Sequence, residues 1–201
     1  MKYTREVVGK YDNDTIRVYQ AYNQRIAAEA VKLQTFGENF STKRMTWIKP
    51  SFLWMMYRSG WGTKKDQECI LAIDVRRDFF DWLLTQAVLT SPDSKAFSGE
   101  EWSDRLSKTC VYVQWDPDKG IKGTPIDRDA IQIGIKEEAV QKYLKEGICR
   151  ITDITADVKK WNELRKNGRL SLKNLPAEKV YPVTDKAIRN RLNMEIQGNY
   201  V

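Results

Sequence analysis

The sequence predicts a single α+β domain in which helices flank a mixed β-sheet. The chain has 201 residues, a common length for one domain. Hydrophobic residues make up 41% of it and charged residues 30%, as in folded proteins rather than disordered ones. Helical and extended patterns follow one another without the regular βαβ rhythm of a doubly wound parallel sheet.

We expect the domain to comprise residues 1–201, with an N-terminal extension at 1–14 and an irregular basic tail at 176–201. No apolar run approaches the roughly 20 residues that span a bilayer. The first residues also lack the apolar core of a secretory signal. These features predict a cytoplasmic protein that does not enter a membrane.

The first predicted strand leads directly into the first predicted helix. Residues 15–22 are rich in β-branched and aromatic side chains, which is typical of a strand. Residues 23–33 carry apolar side chains at helical spacing, and Asn23 can cap that helix. A short strand is predicted at 44–48. The helix predicted at 52–57 is apolar on every face, so we expect it to be buried.

The middle of the chain contains the pattern of a central strand. Residues 69–75 form a continuous apolar run, as in a strand buried on both faces. A broad apolar stripe predicts a helix at 77–89, and residues 100–108 predict a short exposed helix.

Two later strands are predicted at 109–115 and 130–135, and we expect them to be antiparallel neighbours. Residues 116–120 contain Asp, Pro and Gly, which are turn-forming residues, and they are predicted to join the two strands. The last regular elements are predicted as a helix, a strand and an amphipathic helix, at residues 136–145, 148–154 and 155–167.

The absence of histidine excludes several classes of enzyme. Ser-His-Asp hydrolysis, Cys-His proteolysis and His-ligated zinc all need a side chain that the sequence lacks. The three cysteines form no C-x-x-C pair, so no metal site is predicted. Neither a Rossmann nor a P-loop glycine motif is present, which argues against those two nucleotide-binding folds.

The positive charge is concentrated in the C-terminal third. The chain has a net charge of +7, and the stretch from Lys142 to Arg191 contains thirteen Lys and Arg against six Asp and Glu. This stretch could face the phosphates of a nucleic acid, or it could form a solubilising helix face. The candidate nucleic-acid-binding residues are Lys159, Lys160, Arg165, Lys166 and Arg169.

The segment from Arg44 to Trp61 combines aromatic and basic side chains. Three of the seven tryptophans lie there, together with Arg44, Lys49 and Arg58. Such a set can stack on a base or on nicotinamide while neutralising phosphate. The alternative is that these side chains are core, which we favour for the three consecutive residues 54–56.

Four segments of the chain resemble a widespread microbial family catalogued as a domain of unknown function, number forty-two ninety-one. They are residues 16–22, 44–62, 113–117 and 131–134, in the same order and spacing. The resemblance covers nearly the whole chain, but the family name implies no chemistry.

The order of strand, immediate helix, second strand, second helix and late strand also resembles the ADP-ribosyltransferase superfamily. That resemblance implies a split β-sheet whose cleft binds NAD without a Rossmann motif. In the superfamily an Arg or His on the first strand orients the NAD ribose. A hydroxyl or aromatic side chain on the second strand supports the nicotinamide, and a late Glu, sometimes Gln or Asp, assists transfer.

The resemblance implies roles for residues of three strands. Gln132 on the late strand, Arg17 on the first and Thr46 on the second are the catalytic candidates. Gln20 stands where Arg or His is usual, and Gln132 where Glu is usual, so Asp116 or Asp129 would have to activate the acceptor. The cofactor-binding candidates are Tyr19, Gln20, Arg44, Trp47, Lys49, Ser51 and Arg58.

Two functions remain open from the sequence. The first is an NAD-dependent ADP-ribosyltransferase that modifies a macromolecule, with RNA favoured over protein. A toxin or defence role, with an inhibitory partner protein, would fit that activity. The alternative is a non-catalytic module that binds RNA or single-stranded DNA through its aromatic and basic surface.

Overall fold

Two β-sheets flanked by helices form the centre of the structure, which is a computed structural model. It describes residues 4–92 and 99–194, and these form a single α+β domain, as predicted. The strands are β1 (Thr4–Arg5), β2 (Val8–Gly9), β3 (Thr15–Tyr22), β4 (Thr46–Ile48), β5 (Cys69–Arg76), β6 (Val88–Leu89), β7 (Val111–Lys119), β8 (Pro125–Ile135), β9 (Ile148–Asp153) and β10 (Lys179–Val180).

The helices pack around these sheets. The described α-helices are α1 (Gln24–Leu33), α2 (Phe52–Ser59), α3 (Arg77–Gln86), α4 (Gly99–Lys108), α5 (Glu138–Lys142), α6 (Thr155–Lys166) and α7 (Lys186–Arg191). A π-helical turn, Tyr143–Gly147, continues α5, and a 3-10 turn lies at Leu172–Asn174.

The larger sheet is organised around β8. β7 pairs with β8 in antiparallel register along most of its length, which confirms the predicted neighbours. β4 pairs antiparallel with the end of β8, from Thr46 opposite Ile135 to Ile48 opposite Ile133. β1 pairs parallel with an earlier part of β8, and β6 pairs parallel with β7.

The smaller sheet has the antiparallel order β3-β5-β9. Its middle strand, β5, is buried from Cys69 to Ile73, as its continuous apolar run predicts. A third, two-stranded sheet pairs β2 with β10.

The two larger sheets meet where β3 passes β4. The backbone N–H of Tyr19 donates a 2.8 Å hydrogen bond to the carbonyl oxygen of Lys49. Successive side chains of β3 point to opposite faces. Val18 therefore enters the core that both sheets share, whereas Tyr19 enters a second core with Phe52 of α2.

The predicted turn at 116–120 is wrong, because Asp116 to Lys119 belong to β7. The register of β7 against β8 shifts between Pro117 and Lys119, so the proline sits at an irregularity that tolerates it. Asp118 is fully buried, and the guanidinium of Arg128 pairs with its carboxylate. The connection between the strands comprises residues 120–124 instead.

Both ends of the described chain contribute regular structure. Within the predicted extension at 1–14, β1 and β2 join sheets, and Val7 is fully buried. The predicted irregular tail also needs correction, because β10 and α7 lie within it as far as residue 194. Tyr181 and Leu192 anchor it in the core. Residues 1–3 and 195–201 lie outside the described residues.

Candidate functional site

A cavity of about 630 Å³ opens beside the junction of β3 and β4. Its wall combines side chains of both strands with residues of the loops that follow α1 and α2. Six of the residues singled out in the sequence line this cavity: Gln20, Arg44, Thr46, Trp47, Lys49 and Arg58.

Gln20 joins the two sheets through a buried hydrogen-bond network. Its Nε2 atom donates to Tyr22 Oη and to Thr46 Oγ1, each at 2.8 Å. Its Oε1 atom accepts a 3.0 Å hydrogen bond from Tyr143 Oη. Since both ends of the amide have partners, Gln20 fixes how β3 and β4 approach each other at the cavity wall.

Trp47 provides the half-buried aromatic surface of the cavity. Residues 47 and 134 are directly paired across β4 and β8. A Cβ atom at Gly134 would lie 3.0 Å from the indole Cζ2 and Cη2 atoms and 2.8 Å from Met45 Sδ. The lack of a side chain at Gly134 therefore lets the indole lie close to the sheet.

Lys49 lies in the wall of the cavity and is only 8% exposed. Its Nζ atom donates a 3.0 Å hydrogen bond to the carbonyl oxygen of Trp47 and lies 5.9 Å from the centroid of the Trp54 ring. Burial and the nearby Arg58 lower the pKa of Lys49 to about 7, although Asp116 acts in the opposite direction. A substantial part of this amine is therefore unprotonated at neutral pH.

Arg44 and Arg58 give the cavity a positive rim. Both side chains are exposed, and neither forms an ion pair within residues 4–92 and 99–194. Asp66, the carboxylate of the lining, is exposed too. Guanidinium groups that lack a carboxylate partner can bind phosphate oxygens in bidentate fashion.

Three predicted residues are close in sequence to this wall but do not line the cavity. Tyr19 is fully buried and packs edge-on against Phe52. Ser51 caps α2 and donates a 3.0 Å hydrogen bond to Asp118 Oδ1. Arg17 forms a two-pronged ion pair with Asp74, at 2.7 and 2.9 Å.

Gln132 of β8 also lies outside the cavity lining. The next residue, Ile133, pairs with Ile48 of β4. Its Nε2 atom donates a 2.5 Å hydrogen bond to Asp116 Oδ2, and Gln114 Nε2 donates to the other carboxylate oxygen at 2.9 Å. The two amides hold this half-buried carboxylate in one orientation. Asp129, by contrast, forms an ion pair with Arg5 at 3.2 Å.

The predicted nucleic-acid-binding residues lie on α6 and just after it. Lys159, Lys160 and Arg169 are exposed, and Lys166 is paired with Glu163 at 2.8 Å. Arg165 differs from them, because its guanidinium carbon stands 5.3 Å from the Trp61 ring centroid and 5.9 Å from that of Tyr57.

The lining also contains loop residues that the sequence did not predict, among them Asn39, Phe40, Ser41, Asp66 and Gln67. These residues lie in the two irregular loops that follow α1 and α2. The course of such loops cannot be predicted from the spacing of residues in the sequence.

No group of three metal-ligating side chains occurs in the part of the chain that the structure describes. None of the described helices is both long and apolar enough to cross a membrane. Comparison with family models matches residues 6–181 to a family described as "Domain of unknown function (DUF4291)". A search of curated proteins found no match.

Proposed function

The chain belongs to the family described as Domain of unknown function (DUF4291), and we propose that it is an NAD-dependent ADP-ribosyltransferase that modifies nucleic acid, RNA in particular. One observation carries the proposal. The cavity at the junction of β3 and β4 combines the Trp47 indole with Arg44 and Arg58, neither of which forms an ion pair within the described residues.

The strand arrangement supports this proposal. β7, β8 and β4 form one group, β3, β5 and β9 form another, and the Tyr19–Lys49 hydrogen bond joins them. The superfamily that the sequence resembles binds NAD in the cleft of a split sheet, and we assign NAD to the cavity beside this junction.

The residues of the cavity suit a dinucleotide. Its volume of about 630 Å³ lies within the roughly 300–1,000 Å³ of small-molecule sites. Arg44 and Arg58 would hold the pyrophosphate, and Trp47 would stack on the nicotinamide ring. Gln20 and Thr46 keep the two strands in place beneath it.

When bound, NAD supplies an ADP-ribosyl group whose bond to nicotinamide breaks as the ribosyl carbon becomes cationic. The chain has no histidine to act as a base. We choose Asp116 for that task, because Gln114 and Gln132 orient it and because it acts electrostatically on Lys49 in the cavity wall. We assign it the proton of the acceptor hydroxyl, and we assign Gln132 the positioning of Asp116.

The basic surface supports nucleic acid as the acceptor. Lys159, Lys160 and Arg169 are exposed, so they can contact phosphates. Arg165 lies against two aromatic rings, so it presents a positive charge with little freedom of movement.

The decisive experiment incubates the purified protein with NAD labelled in its adenylate part, once with total RNA and once with a cell protein extract. Label in RNA supports the full proposal, whereas label in protein supports the transferase with a different acceptor. If neither is labelled, no nicotinamide is released and NAD does not raise the melting temperature, the proposal is wrong.

The second candidate function is a non-catalytic RNA-binding module, which the exposed cations of α6 favour. The aromatic part of this alternative is weaker, because Trp54 and Trp61 are only 8% and 3% exposed and cannot stack on bases. RNA affinity that falls steeply with salt and does not respond to NAD would favour this alternative.

A further inference from the structure

The amine of Lys49 has too few partners for a buried ammonium group. An ammonium group carries three donor hydrogens. Within the described residues Lys49 Nζ has one hydrogen-bond acceptor, the carbonyl oxygen of Trp47 at 3.0 Å, and no carboxylate within ion-pair distance. A neutral amine needs fewer acceptors and keeps a lone pair that can react.

The surroundings of Lys49 also favour the neutral amine. Arg58 of α2 repels a second positive charge, and the side chain is 8% exposed. Asp116 of β7 attracts it, but its carboxylate oxygens accept hydrogen bonds from Gln114 and Gln132. Desolvation beside another cation is a general way in which proteins activate a lysine nucleophile.

We propose that Lys49 Nζ forms an imine with phosphate-bearing aldehydes that enter the cavity, including the open-chain forms of phosphorylated aldoses. The amine lone pair attacks the carbonyl carbon, and a carbon–nitrogen double bond forms. The carbonyl oxygen leaves as water with the two amine hydrogens, so the step needs neither oxidant nor reductant.

The same cavity supplies the recognition of the phosphate group. Arg44 and Arg58 line it, and neither has an ion-pair partner within the described residues. A phosphate held by these guanidinium groups would keep the aldehyde in a cavity whose wall contains Lys49. The inference goes beyond the proposed transferase because it requires no NAD.

The test uses pyridoxal 5′-phosphate as the probe at pH 7, followed by borohydride reduction and peptide mapping by mass spectrometry. With a pKa of about 7, Lys49 is neutral in about half of the molecules, whereas an ordinary lysine is neutral in roughly one of 2,500. We expect Lys49 to be labelled at least about tenfold faster than any other lysine.

Four controls make the test specific. Lys49 should be labelled several-fold more slowly by 5′-deoxypyridoxal, which has no phosphate and cannot close to a hemiacetal. The same slowing is expected for the phosphorylated probe with Arg44→Gln, at a residue of the lining. Lys49→Arg should lose the fast label, whereas Lys173→Arg, at an exposed lysine outside the cavity, should keep it.

The proposal would be overturned if the label were spread evenly over the exposed lysines of the unaltered protein. This result does not depend on whether any variant folds. Equal labelling of Lys49 by both probes would overturn the phosphate requirement and with it the proposal. Since NAD is absent from the test, its outcome is separate from that of the transferase assay.

Discussion

The indole of Trp47 lies so close to Gly134 that a Cβ atom at residue 134 would be 3.0 Å from two of its ring carbons. The two residues are paired across β4 and β8, in the sheet that forms one side of the cavity. The position of the aromatic wall thus depends on a residue with no side chain.

Gly134→Ala should therefore displace the indole and weaken NAD binding. We expect a loss of about tenfold, equivalent to about 1.4 kcal/mol, measured by titration calorimetry. The control is Gly120→Ala, because a Cβ there would meet Ile126 Cγ2 at 3.3 Å and the position is outside the cavity lining. Unchanged binding in Gly134→Ala would show that Trp47 does not contact NAD.

Gln132→Ala and Asp116→Asn should each abolish ADP-ribosyl transfer while the protein remains folded. Loss of a positioned base costs about 10²–10⁴-fold in rate, and Gln132 donates one of the two hydrogen bonds that orient Asp116. Initial rates with labelled NAD measure the effect, and melting temperature checks the fold. Full activity in either variant would remove that residue from the mechanism.

Lys49→Met should stabilise the fold, most strongly at low pH. The folded protein lowers the pKa of Lys49 from 10.5 to about 7, so between these values the unfolded chain binds more protons and stability rises with pH. The contribution of Lys49 to the stability of the wild-type fold is fully present above pH 10.5, and it is lost as the pH falls through 7.

Urea unfolding at pH 6 and pH 9 measures this effect. We expect Lys49→Met to raise the free energy of unfolding by about 1–4 kcal/mol at pH 6 and by less at pH 9. Lys65→Met at an exposed position is the control and should show no such difference. An equal gain at both pH values would contradict a neutral Lys49.

Glu178 should make the fold less stable as pH rises from 5 to 7. Burial raises its pKa from 4.5 to about 8, although the hydrogen bond from the Phe52 N–H opposes that shift. The folded protein therefore binds more protons in this window, and stability falls by up to about 1.4 kcal/mol per pH unit.

Glu178→Gln should remove that slope, because the amide oxygen can accept the same hydrogen bond and does not titrate. Urea unfolding at pH 5, 6 and 7 provides the measurement. Glu163→Gln is the matched control, since that carboxylate is exposed on α6. A slope that persists unchanged in Glu178→Gln would refute a protonated Glu178.

Much of the fold follows from local patterns in the sequence. The apolar run of β5 and the alternation of β3 predict two strands of the smaller sheet. The error at Asp116 to Lys119 has a physical reason, since Pro and Asp usually form turns but here occupy a bulged strand. The ion pair with Arg128 makes burial of Asp118 tolerable.

The site could be predicted only in part, because contacts across strands decide which neighbours in sequence share a surface. Gln20 lines the cavity while Tyr19, one residue earlier, points into the opposite core. The sequence suggested that Arg17 acts on NAD, yet its charge is matched by Asp74, a partner 57 residues away. Neither relationship is visible without the register of β3 and β5.

The pairing of β2 with β10 has a consequence for synthesis on the ribosome. Val8 pairs with Val180, and the Tyr181 N–H donates a 2.8 Å hydrogen bond to the carbonyl oxygen of Val7. At about 5–20 residues per second, this N-terminal strand waits roughly 10–30 s for its partner to be translated. Val7 and Val8, which are buried in the folded domain, therefore stay without this partner strand for most of the translation of the chain.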